Sequence, residues 1–137
     1  MKTKNDDSSD TFGLLACGSS GCWTVDLDES SDGSRWSLQL DGPHVYLVCE
    51  VLDLHVVKSA VDFLRSSQNR ADALPLGCFN SAAVTLNWDN EDVRRCFLIV
   101  GATNRSALRV TLSAEDTAAL AAALEQVLED LPAELVK

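Results

Sequence analysis

Residues 108–132 read LRVTLSAEDTAALAAALEQVLEDLP, and this stretch sets the architecture. Leu108, Val110 and Leu112 alternate with Arg109 and Thr111, the period of a strand with one buried face. At Ser113 the period changes. Ser113 precedes Asp116 by three residues, close to a capping box with Asp in place of Glu. Leu120, Leu124, Val127, Leu128 and Leu131 then recur at i, i+4, i+7, i+8 and i+11, one stripe of a helix. Alanines 118, 119 and 121–123 add helix propensity. Pro132 stops the helix. Its stripe predicts burial against a sheet in the same subunit.

Upstream, strands dominate. Gly101 to Ser106 reads as a turn, and Val93 to Val100 as a strand apolar on both faces. Val84, Leu86 and Trp88 oppose Thr85 and Asn87, and Asp89-Asn90-Glu91-Asp92 turns the chain. Leu76 to Phe79 is a short apolar piece, and residues 67–75 read as a loop closed by Pro75. Before it, Val57, Ala60, Val61 and Leu64 predict a helix at about 54–66, with Asp53 as N-cap.

The first half runs similarly. Phe12 to Cys17 is a short apolar segment, followed by a turn at Gly18-Ser19-Ser20-Gly21. Trp23, Val25 and Leu27 form one strand face; Trp36, Leu38 and Leu40 form the next, with Asp32-Gly33 as a hairpin signal. His44 to Leu52 is apolar on both faces, which predicts a central strand covered on both sides. Residues 1–11 are polar and read as a flexible leader, leaving 12–137 as one domain.

The halves match in pattern at an offset of 60: Asp32 with Asp92, Leu38 with Leu98, Asp53 with Ser113, Leu64 with Leu124. The expected fold is α+β: an antiparallel sheet of about seven or eight strands with two helices packed on it. The half-repeats would be 12–66 and 74–131, each ββββα. This element order resembles the Whirly, PC4 and PUR-like families, which bind single-stranded nucleic acid. The resemblance covers order alone; their sequence motifs are missing. It implies a sheet that could hold nucleic acid, but such binding uses basic faces with stacking aromatics. Here the strands carry Asp26, Asp28 and Glu50, with Arg35, Arg95 and Arg109 scattered.

Composition narrows the function classes. The formal charge is −10 over 137 residues, shared evenly between the halves. Phosphate backbones and anionic lipids are repelled, and a basic protein partner is favoured. The chain shows no secretory signal and no apolar run of the ~20 residues that span a bilayer. A cytoplasmic location is expected. Five cysteines at irregular spacing do not make a disulfide framework, so reduced thiols are expected.

Candidate chemistry is sparse. Cys17 and Cys22 flank a glycine-containing stretch and are the best metal or redox pair, but a structural zinc site needs four ligands. No second close pair exists among Cys49, Cys78, Cys96, His44 and His55. Asp28-Glu29-Ser30-Ser31-Asp32-Gly33 is similar to the D-x-S-x-x-G signature of PilZ domains, which bind cyclic di-GMP. That family also needs an upstream R-x-x-x-R, and no arginine precedes Arg35. No nucleophile elbow, zinc-protease motif or P-loop is present, so no catalytic residue and no cofactor are expected. Trp23, Trp36 and Trp88 are the interaction candidates if any of them is exposed, and core residues otherwise. A non-catalytic, homodimeric interaction or scaffold module is the expected function, because sheet edges need covering.

Overall fold

The computed structural model describes residues 13–30, 35–43, 45–51, 53–66, 73–88, 95–102 and 105–131. The chain runs β1 (Gly13–Ser20), β2 (Trp23–Glu29), β3 (Trp36–Asp41), β4 (Tyr46–Val51), α1 (His55–Arg65), β5 (Ala73–Phe79), β6 (Ala82–Trp88), β7 (Cys96–Ala102), β8 (Arg105–Leu112) and α2 (Ala114–Asp130). The α+β expectation holds. All eight strands form one antiparallel sheet in sequence order, and the element order repeats as ββββα-ββββα.

Alternation decides which side of each strand is buried. Trp23, Val25, Leu27, Leu38, Leu40, Val84, Leu86, Leu98 and Leu112 point inward. They form one apolar cluster with Val57, Val61 and Leu64 of α1 and Leu120, Leu124 and Val127 of α2. The α2 stripe is buried as expected, with Leu128 only partly covered. Its capping box is formed: Ser113 Oγ accepts from the Asp116 N–H at 3.1 Å, and the Asp116 carboxylate accepts from the Ser113 N–H at 3.2 Å. Helix α2 packs along β1, touches β2 and β8, and lies against α1. The sheet therefore curls enough for both of its end strands to reach one helix.

Several boundaries differ from expectation. Gly18 lies inside β1, and the turn follows at Gly21-Cys22. Gly21 has φ +58 while Cys22 does not have positive φ, the pattern of a II′ hairpin turn, so the chain waits for Gly21 before reversing. Strand β5 begins at Ala73, so Pro75 lies within a strand rather than closing a loop; β5 shifts register between Pro75 and Gly77. Such irregular positions tolerate proline, which cannot donate to the ladder. Strands β7 and β8 extend into Ala102 and Arg105, shortening the expected 101–106 turn. Strand β4 is covered on one side only: Leu47, Cys49 and Val51 are buried, while Tyr46 is 63 % and Val48 37 % exposed. The cause is that both helices take the inner side. Helix α1 begins at His55 with Leu54 as its N-cap; Asp53 Oδ1 still accepts from the His55 N–H at 2.8 Å. The leader, Asp32-Gly33, His44, the 89–92 turn and Pro132 lie outside the described residues.

Candidate functional site

The two halves of the sheet meet where β4 pairs with β5, with Glu50 aligned to Cys78 among the described residues. Gly77 allows this contact, because a Cβ there would collide with the Glu50 carbonyl oxygen. Beside the seam, on the solvent side of the sheet, lies an open cleft of about 450 Å³ lined by Ser37, Val48, Glu50, Cys78, Phe79, Asn80 and Ser81. Its far wall is the β5–β6 turn. Asn80 (φ +49) and Ser81 (φ +70) are both left-handed, as in a I′ hairpin. Asn tolerates that conformation well and Ser less so, so the turn carries some strain.

The cleft is part carboxylate and part apolar. Glu50 sits 3.5 Å from Arg35 Nη1, an exposed pair of small energetic weight. The Cys78 thiol donates toward Glu50 Oε1 across 4.0 Å. Val48 and Phe79 supply apolar walls, and Phe79 is 41 % exposed. Tyr46 lies two residues before Val48 and is also exposed.

Two of the thiols, Cys17 and Cys49, are poor nucleophiles. Burial, with smaller effects from Cys78 and Glu50, pushes the Cys49 thiol up to about 12. A hydrogen bond with Asp26, then burial and the charges of Asp26 and Asp130, raises Cys17 as well. Both are therefore thiols, not nucleophilic thiolates, at neutral pH. Cys17 and Cys22 are exposed, on β1 and in the following turn. Among the described residues, no three His, Cys, Asp or Glu side chains gather where they could hold a metal ion.

The tryptophans belong largely to the interior. Trp23 is fully buried. Trp88 stacks on Phe63 at 5.9 Å and donates from Nε1 to the Phe63 carbonyl at 3.1 Å. Trp36 is partly buried against the same core. Among the described residues the exposed aromatics are Tyr46 and Phe79 instead. Sequence reasoning missed the cleft because its residues come from β3, β4 and the β5–β6 hairpin, with residues 52–72, including α1, between β4 and β5. The usable signal was Asn80-Ser81, a pair suited to a left-handed turn between two apolar runs.

No helix is long and apolar enough to cross a membrane among the described residues. Comparison with known protein families, curated proteins and solved structures finds no significant match.

Proposed function

We propose that the chain is a non-catalytic protein-interaction module, homodimeric, that takes a basic side chain of a partner protein in the Glu50 cleft. The observation that supports this is that the Glu50 carboxylate lines one cleft together with the exposed apolar side chains of Val48 and Phe79. A carboxylate beside apolar walls suits a lysine or arginine, whose stem is apolar and whose head is cationic. The charge of −10 adds long-range attraction for a basic partner. Arg35 now pairs with Glu50 at 3.5 Å, and because this exposed pairing is weak a better-placed cation can displace it.

The test is calorimetric titration with a model peptide containing arginine and lysine. Binding should weaken in Glu50→Gln and in Val48→Lys, with folding intact. Equal binding to wild type and both variants would remove the cleft from the account. The single-stranded nucleic-acid reading is the weaker one, because Asp26, Asp28 and Glu50 share the solvent side of the sheet.

A further inference from the structure

The two edges of the sheet are treated differently. At β1, helix α2 covers the edge: the Cys17 N–H donates to Asp130 at 3.3 Å and the Ser19 N–H to Gln126 Oε1 at 3.0 Å. At the other end, no strand lies beyond β8 among the described residues. The repeat shows what that edge lacks. Leu47 faces Leu40 across β3–β4, and Leu108 faces Val100 across β7–β8, so the two leucines hold the same position in each half. Strand β4 has β5 beside it, and Leu47 is 5 % exposed; Leu108 is 44 % exposed.

We propose that the edge of β8, which has no neighbouring strand among the described residues, pairs antiparallel with β8 of a second copy of this chain. This rests on the homodimer reading and names its surface. Three observations choose a second copy as the occupant. First, an antiparallel pair of identical strands satisfies two-fold symmetry. Because α2 closes the β1 edge, such pairing stops at two chains and makes no fibre. Second, β6, β7 and β8 contain no Asp or Glu in a chain that has 21, so this is where two acidic chains can approach with least repulsion. Third, the Arg109 guanidinium lies 4.6 Å over the Phe97 ring of β7. It leans away from the edge, which keeps the two arginines of a pair apart.

Sedimentation velocity from low micromolar to submillimolar protein tests this. Wild type should reach twice the 14.8 kDa chain mass. Leu108→Lys, which puts a charge on the edge, should stay at the single-chain mass with an unchanged circular dichroism spectrum. Hydrogen exchange on wild type keeps the test valid if that variant does not fold: β8 amides should gain protection as concentration rises. A wild type that stays monomeric overturns both this proposal and the homodimer reading. A dimer that survives a folded Leu108→Lys, or that gains no β8 protection, overturns the β8 edge and leaves the homodimer standing. Dissociation by Tyr46→Ser instead would move the interface to the outer face and overturn the edge proposal too.

Discussion

The carbonyl oxygen of Ala123 in α2 occupies the space where residue 18 of β1 would carry a Cβ. Gly18 is thus what lets a helix close a sheet edge. Gly77 holds the same place in the second half: Gly18 faces Val25 as Gly77 faces Val84. There the approaching atom is the Glu50 carbonyl oxygen of β4. One permissive position thus serves a helix in one half and a strand in the other. Gly18→Ala should force α2 outward and cost about 1–3 kcal/mol, the range for overpacking. Urea unfolding measures it, and a neutral result would mean that α2 does not lie tightly on β1.

Leu124 is at the centre of the α2 stripe and is buried. Leu124→Ala should destabilise by about 2–5 kcal/mol. If the stripe is intrachain core, the loss will not depend on protein concentration. Preserved stability with lost association would assign the stripe to an interface.

The capping box gives a smaller, local effect. Ser113→Ala removes the acceptor for the Asp116 N–H and should cost about 0.5–2 kcal/mol. Ser113→Asp should keep most of it, since Asp also caps. Thermal unfolding of the two variants distinguishes the cap from simple loss of a hydroxyl.

Cys49 makes a prediction in alkali. Its thiol is raised from 9.0 to about 12 in the folded chain, chiefly by burial. A raised folded value means that the stability is whole below pH 9 and is lost as pH rises toward 12, because the unfolded thiol ionises first. Cys49→Ala should lose less stability than wild type across that window. Thiol-reactive dye at neutral pH should label the exposed Cys17 and Cys22 well before Cys49. Parallel pH-unfolding curves for wild type and variant would contradict this cause.

The fold was largely legible because its signals are local. The change of period at Ser113, the Trp23-Val25-Leu27 alternation and the Leu120–Leu131 stripe each report one buried face. The ββββα order could be read from them. What escaped was set by contacts distant in sequence. Nothing near Gly18 announces that Ala123 will approach it, so it read as a turn residue. Tyr46 and Val48 read as core because an apolar strand looks the same whether one face or both are covered. The cleft depends on the pairing of β4 with β5 at Glu50 and Cys78, which no periodicity encodes.

Nucleic acid gives a further check. The net charge of −10 and the acids on the solvent side of the sheet predict no binding of single-stranded DNA or RNA at physiological salt. A salt-titrated anisotropy assay tests it. Micromolar binding would require a locally basic groove and would revive the Whirly-like reading.

The most direct test of the interaction account is nuclear magnetic resonance mapping with a peptide that carries arginine and lysine. Amide shifts should concentrate at Ser37, Val48, Glu50 and Cys78 through Ser81, saturate, and shrink in Glu50→Gln. Shifts spread evenly over Asp26, Asp28 and the other exposed acids, or no saturable shift at all, would contradict the claim that the cleft is the site.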